Sequence, residues 1–398
     1  MGERRSLRVL LISPVASLDP GSGDVTFTDE LLASPPPGVS YVTYDEALRS
    51  GELIEVGTRP SLRDDRASRR LAAAIVALWR LGETQVRRSG LGYRERLRHF
   101  RVQEGRFDLV HVHVFHSKFV GSHPPIIMSA GSPLSWLYAD AFGWEPRRIR
   151  MAELLDRSIG RVWGATMCGG KRGQAVRHVV ATHYYKTWLA KTGRVPSHGV
   201  DVVPNYLSLA EPPLRATRKP LHFVVVAKDF AAKGGLDVLD AFARVQEKRP
   251  DATLTVVGSD PPGGSAPGVR WLGHVSRRQL LADVLPGLDV LVHPSRVDVL
   301  PYAPMEALAL GMPVIVSDYR ALPELAGDGA GLVVPLGDVP SLAAAMDSLL
   351  DPTTYGTASA AARRHFDECY AASGQATRLG DSYRRALARA PKQPQRSY

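Results

Sequence analysis

The stretch Leu288–Asp318, LDVLVHPSRVDVLPYAPMEALALGMPVIVSD, limits the fold more than any other part of this chain. It opens on an apolar run, Val290 to Val292, and passes through a polar loop, His293 to Arg296, to Asp298. Pro304 and Met305 then lead to Glu306, read here as opening a short Ala/Leu helix that Gly311 ends. Pro313 starts a second apolar run, Val314 to Ser317. Short apolar runs bounded by turn residues read as parallel strands buried on both faces. Ligands of such sheets sit beyond the carboxyl ends of the strands, where helices begin. Asp298 and Glu306 stand at such a place with seven residues between them, suited to a ligand that offers hydroxyl groups and negative charge.

The same strand–loop–helix pattern recurs along the chain. His222 to Ala227 reads as a strand, followed by Lys228-Asp-Phe-Ala-Ala-Lys233-Gly234-Gly235 and a helix from Leu236 to Lys248. Two lysines beside a helix N-terminus offer a diphosphate point charges together with backbone donors; surface lysines without a role are the plainer alternative. Near the start, the run Arg8 to Ser13 is followed by a loop, Ser17 to Asp24, holding Gly21 and Gly23, and by a helix from Thr26 to Leu32. That arrangement reads either as an anion cradle or as an ordinary turn. Phe107 to His113 is a further strand, and alternation places His111 and His113 on one face. A metal site from His111, His113, His116 and His123 lacks an acidic ligand set beside them, and we expect no metal. Gly258 ends a strand from Ala252, and Ser276-Arg-Arg-Gln279 is a capping box opening the next helix.

These residues resemble the signature of the retaining family 4 glycosyltransferases, glycosyltransferase group 1. Pro294, Ser295, Asp298, Glu306, Ala307, Gly311, Pro313 and Val314 occupy its donor-binding pattern, with Asp298 in place of a glutamate. Lys233 and Gly234 match its Lys-Gly pair, Lys228 stands at its arginine, and Asp24 stands where the second glycine of its first loop would be. The strand Pro125 to Gly131 has no counterpart of the family's useful histidine and leads into Ser132. The resemblance covers most of residues 7–388, strongest over 222–335 and thinnest over 40–105.

The resemblance implies an α/β protein of the GT-B fold: two Rossmann-like, doubly wound parallel-sheet domains facing across a cleft. It implies an acceptor-side domain over 1–212, with a final helix at 376–388 packing back onto it, and a nucleotide-sugar domain over 213–375. The Pro- and charge-rich stretch Leu209 to Pro220 links the two, and residues 390–398 read as a flexible tail. It further implies Asp298, Lys228 and Lys233 as catalytic residues, and Glu306, Gly23, Gly234, Gly258 and Ser295 as the donor site. Asp24, His113, His116 and Ser132 are the acceptor-side candidates. The implied reaction moves a sugar from a nucleotide-diphosphate sugar to an acceptor hydroxyl with retention, without a metal or other cofactor. No Asp-X-Asp occurs anywhere in the chain. The departures leave open a degenerate relative that binds a sugar nucleotide or a membrane surface without catalysis; a nucleotide-sugar epimerase is a further alternative on the same fold, disfavoured by the Asp298 and Glu306 signature.

Composition narrows the remaining classes. At 398 residues the chain exceeds what one core ordinarily serves, so two domains are expected. Cys168 and Cys369 lie too far apart in sequence for a disulfide framework or a metal-ligand spacing. No apolar run approaches the roughly 20 residues that span a bilayer. Leu7 to Ser13 is short for a signal peptide and reads as a strand, so a cytoplasmic location is expected. The net charge of +10 suits anionic partners, although no nucleic-acid motif accompanies it and none is expected as a partner. From Arg59 to Arg101, 12 arginines accompany four acids around an apolar helix, Leu71 to Leu81. This edge reads either as a peripheral contact with anionic membrane or as a solvated surface. The acceptor stays open between lipid-linked, polysaccharide and small-molecule classes.

Overall fold

The computed structural model describes residues 5–13, 23–56, 98–113, 117–130, 175–191, 197–209, 221–261 and 266–389. The expected helix Leu71 to Leu81, the linker after Leu209, His116, Ser132, Cys168 and the tail lie outside them.

The first half is built from strand β1 (Leu7–Ile12), helix α1 (Gly23–Ala33), strand β2 (Val39–Thr43), helix α2 (Tyr44–Arg49), and strands β3 (Leu53–Glu55), β4 (Arg98–Val102), β5 (Leu109–His113), β6 (Ser117–Phe119), β7 (Ile126–Ala130) and β8 (Ala175–Val180). Helix α3 (His183–Lys191) and strand β9 (Val200–Val202) complete it. Six of these strands form one sheet in the order β2-β1-β5-β7-β8-β9, every neighbouring pair parallel. Strands β3, β4 and β6 form a separate small sheet. The central strands are apolar and almost wholly covered, as a sheet with helices on both faces requires.

The second half repeats the design. Strand β10 (His222–Val226), helix α4 (Gly235–Lys248), strands β11 (Thr253–Val257) and β12 (Val269–Trp271), and the one-turn helix α5 (Arg277–Gln279) come first. Strand β13 (Val290–His293), helix α6 (Tyr302–Ala309), and strands β14 (Val314–Ser317) and β15 (Gly331–Val334) follow. The sheet order is β12-β11-β10-β13-β14-β15, again all parallel. The chain builds outward from β10 on one side and from β13 on the other. The boundary between β10 and β13 is therefore the switch point, the place where an open sheet leaves a crevice for a ligand.

Three helices close the chain: α7 (Val339–Ser348), α8 (Pro352–Cys369) and α9 (Ala372–Arg389). Helix α7 packs on α4, while α8 packs on α6. Helix α9 instead returns to the first sheet, against β7 and β8, and buries Leu379 and Tyr383 among Val9, Leu109 and Ile127. Two parallel-sheet domains facing across a cleft, with C-terminal helices crossing back, constitute the GT-B fold. The halves also touch directly: Glu324 accepts from the backbone N–H groups of His183 (3.1 Å) and Tyr184 (2.8 Å), capping α3 from the opposite domain.

Two local expectations shift. Helix α6 begins at Tyr302, so Glu306 lies in its second turn rather than opening it. Pro301 supplies the extended cap, and Pro304 fits the first turn, where no N–H is required. Helix α1 begins at Gly23, which places Gly23 and Asp24 in its first turn rather than in the preceding loop. Helix α8, 18 residues long, is not foreshadowed by any pattern read above.

Candidate active site

The switch point gathers its charged groups from the two strands that flank it. Beyond β13, Ser295 is fully buried, and its Oγ accepts from the N–H groups of Val297 and Asp298, each at 3.3 Å. Ser317, at the end of β14, donates to the Ser295 carbonyl at 2.8 Å. The loop is thereby pinned, and the Asp298 carboxylate meets His293 at the strand end, with Oδ2 2.8 Å from Nε2. Lys233, reaching from the loop after β10, forms an ion pair with the other carboxylate oxygen, Oδ1. Burial pushes the Asp298 carboxyl up, but the hydrogen bond to His293 and the Lys233 charge outweigh it and hold the group well below the ordinary carboxylate range.

Gly234 sets the approach of these two loops. It caps α4 with φ of 76°, and a Cβ built there would stand 3.0 Å from the Pro294 carbonyl carbon and closer still to its oxygen. Arg296 ties the same loops together, donating its N–H to the Ala232 carbonyl at 3.1 Å and pairing its guanidinium with Asp237 in the first turn of α4. The N–H groups of Gly234 and Gly235 turn back to the carbonyls of Ala231 (3.0 Å) and Phe230 (2.7 Å). They are therefore engaged within the loop itself, and this end offers an anion the Lys233 ammonium and the helix dipole. Lys228 is exposed on the loop after β10. Gly258 lies behind that loop, against the Ala227 carbonyl.

Glu306, the second acid, is buried in α6 and does not join Asp298. Its Oε1 accepts from Nε of Arg277 at 2.6 Å. The same guanidinium donates through Nη2 to Oε1 of Glu30, on α1 of the first domain, at 2.9 Å. The other Glu30 oxygen accepts from the backbone N–H of Ser208 at 2.7 Å. Burial pushes the Glu306 carboxyl up, and the Arg277 charge and hydrogen bond oppose that rise.

On the facing domain, His111 and His113 share the hydroxyl of Ser129, at 2.7 and 2.8 Å. Their common face agrees with the alternation of the sequence. His113 stacks on Phe27 of α1 with ring centroids 4.1 Å apart. His111 continues through Nδ1 to the Tyr383 hydroxyl (2.7 Å), which meets that of Tyr41 (2.7 Å). Ser129 thus occupies the strand where the resemblance would place a histidine. Among the described residues, no group of three or more His, Cys, Asp or Glu is arranged to hold a metal ion.

Three residues of the site are absent from the reading of the sequence: His293, Arg277 and Glu30. Arg277 carried a usable signal. It lies in the first turn of its helix, where the dipole disfavours a cation unless acids face it. His293 is the last residue of β13, directly before Pro294-Ser295, and Glu30 is one acid among several on α1, with nothing local to mark it.

The family match falls on the second domain. Residues 220–352 match the family Glycosyl transferases group 1. A glycogen synthase from Mycobacterium tuberculosis is 28% identical over 211 residues, covering 49% of this chain and 50% of that protein. A GDP-mannose-dependent monoacylated alpha-(1-6)-phosphatidylinositol monomannoside mannosyltransferase from Corynebacterium glutamicum is 30% identical over 175 residues, covering 38% and 46%. The chain therefore spans about half the length of the curated relatives it matches. The solved structure of Anabaena HepE in complex with UDP and glucose superposes over 95% of this chain and 100% of that one, with a TM-score of 0.57 at 13% identity. The two-sheet topology and the match over residues 220–352 together make this chain a GT-B protein whose second domain is homologous to the glycosyl transferases of group 1.

Proposed function

We propose that the chain is a retaining glycosyltransferase that transfers a sugar from a nucleotide-diphosphate sugar to an acceptor hydroxyl without a metal ion. The observation that carries this reading is the meeting of Lys233 and Asp298 at the switch point, with Glu306 buried nearby in α6. Departure of a nucleoside diphosphate needs positive charge where the phosphate oxygen becomes free. Lys233, at the N-terminus of α4, supplies it, and the exposed Lys228 adds to it from the same loop. Asp298 receives donor-sugar hydroxyls and stabilises the positive charge that develops at the anomeric carbon. Its ion pair with Lys233 opens as donor diphosphate and sugar take the two partners. Glu306 accepts from the ribose hydroxyls. The bond from the anomeric carbon to phosphate breaks as the bond to the acceptor oxygen forms on the same face. The acceptor proton passes to the departing phosphate oxygen.

Ser295 contributes by fixing the Asp298 loop rather than by touching the donor, since its hydroxyl is turned into that loop. Gly23, in the first turn of α1, belongs to the donor site, and Asp24 and His113 belong to the acceptor side. In this reading residues 1–212 and 213–375 are the two domains, with α9 crossing back. Among the described residues, no helix is long and apolar enough to cross a membrane. A lipid-linked acceptor would be met through the arginine-rich stretch between Arg59 and Arg101.

The deciding experiment is thermal stabilisation by UDP, GDP, ADP, CMP and TDP, each in metal-free buffer. A nucleotide at about 100 times its dissociation constant should stabilise the fold by about 2.7 kcal/mol. A shift with one nucleotide that disappears in Glu306→Ala supports the transferase and names the donor's base. Absence of any shift would leave the chain as a non-catalytic relative. Consumption of the sugar nucleotide without acceptor, yielding an isomerised donor, would point to an epimerase.

A further inference from the structure

Arg277 takes no part in the chemistry proposed above, yet it is the residue on which the second acid depends. Its guanidinium reaches two buried carboxylates at once, Glu306 of the donor domain at 2.6 Å and Glu30 of the facing domain at 2.9 Å. The arginine itself is 37% exposed, whereas the glutamate it holds is only 4% exposed. The Tyr302 ring lies 5.9 Å from the guanidinium carbon and confines it from the N-terminal end of α6. Its position is set in turn by the capping box of Ser276 and Gln279, which fixes the turn carrying it.

We propose that Arg277 is a positioning residue that keeps Glu306 in its charged, hydrogen-bond-accepting form for the ribose of the donor. The inference rests on the ribose assignment of Glu306 made above. A buried carboxyl without a partner takes up a proton, and a protonated carboxyl presents a donor at one oxygen in place of a charged acceptor. Burial already pushes Glu306 up and Glu30 adds to that push, while Arg277 on α5 is the charge that opposes both. A lysine placed at 277 supplies the charge, although not the fork that spans both acids.

The test is nucleotide binding by calorimetry from pH 6.5 to 9, using the nucleotide that stabilises the unaltered protein. Arg277→Ala should weaken binding at least tenfold at pH 6.5, with affinity returning as pH rises through the elevated ionisation of Glu306. Arg277→Lys should stay within about fivefold and show a flat profile. Glu30→Gln, which removes the facing charge and keeps an acceptor, should stay within about threefold. Arg277→Ala with unchanged or tighter binding overturns the inference alone, because the donor reading survives in the unaltered protein. A loss in Glu30→Gln as large as that in Arg277→Ala also overturns it, since the effect would then be one of domain packing. If the unaltered protein binds no nucleotide, the donor reading and this inference fall together. Circular dichroism and the melting temperature of each variant separate any of these results from misfolding.

Discussion

Replacing Gly234 by alanine tests whether the loops carrying Lys233 and Asp298 are held together by backbone contact. Two costs arise. The left-handed conformation at φ of 76° costs an alanine about 1–2 kcal/mol. The added methyl would also press on the Pro294 carbonyl, at 3.0 Å from its carbon and nearer its oxygen, and forced overpacking of this kind costs about 1–3 kcal/mol. Together they amount to roughly 2–5 kcal/mol, or a fall in melting temperature of about 5–15 °C for a domain of this size. Gly311→Ala is the internal control. Its φ is 67°, but its nearest neighbour would be the Ser359 carbonyl oxygen at 3.5 Å, so it bears the first cost without the second. Scanning calorimetry should therefore place Gly234→Ala well below Gly311→Ala. Relief of the clash by about 1 Å of loop movement would also separate Lys233 from Asp298, and a misplacement on that scale costs about 100-fold in turnover. Equal melting temperatures for the two variants, or full nucleotide affinity in Gly234→Ala, would refute the close approach.

Other expected outcomes follow from individual contacts. Lys233→Ala should lower turnover about 100-fold or more in a steady-state assay, the scale of removing one electrostatic stabiliser; near-normal turnover would remove Lys233 from the diphosphate site. His293→Leu should reduce kcat more than KM, because it takes away the hydrogen bond that aims Asp298 and leaves Lys233 in place; an unchanged kcat would show that His293 does not aim the carboxylate. His111 is pushed down to about 3 by burial and by neighbouring His113. The unfolded chain takes up this proton near pH 6.5 and the folded chain does not, so stability is full above 6.5 and falls as pH drops towards 3. The slope is about 1.4 kcal/mol per pH unit, and urea melts at pH 7 and 5 should show it flattened in His111→Gln. Parallel melts for both proteins would mean that the histidine is not the group responsible.

How far the sequence reaches depends on whether a feature is local. The strand runs of β10, β13 and β14, the capping box at Ser276 and the shared face of His111 and His113 are all visible because each is written in neighbouring residues. The start of α6 is misplaced because Pro304 looks like a helix breaker, although in a first turn it removes no hydrogen bond. The engagement of the N–H groups of Gly234 and Gly235 depends on how the loop folds back, which a Lys-Gly-Gly run does not specify. The link from Glu306 through Arg277 to Glu30 is the hardest to foresee. It joins residues 29 and 247 positions apart, brought together only when two domains meet. A pairing of that kind leaves no periodicity and no spacing to read.

The return of α9 to the first sheet also has a consequence for synthesis. Tyr383 and Leu379 fill the same core as Val9, Leu31 and Leu109, so strands made before the second domain are completed by a helix made after it. The second domain encloses its own strands between residues 222 and 334 and is free to condense first. The usual order, in which the N-terminal domain folds before the next is made, is then inverted for the final step. The nascent first domain waits with an open apolar face until α9 arrives, and that interval is when it is most exposed to aggregation or chaperone capture.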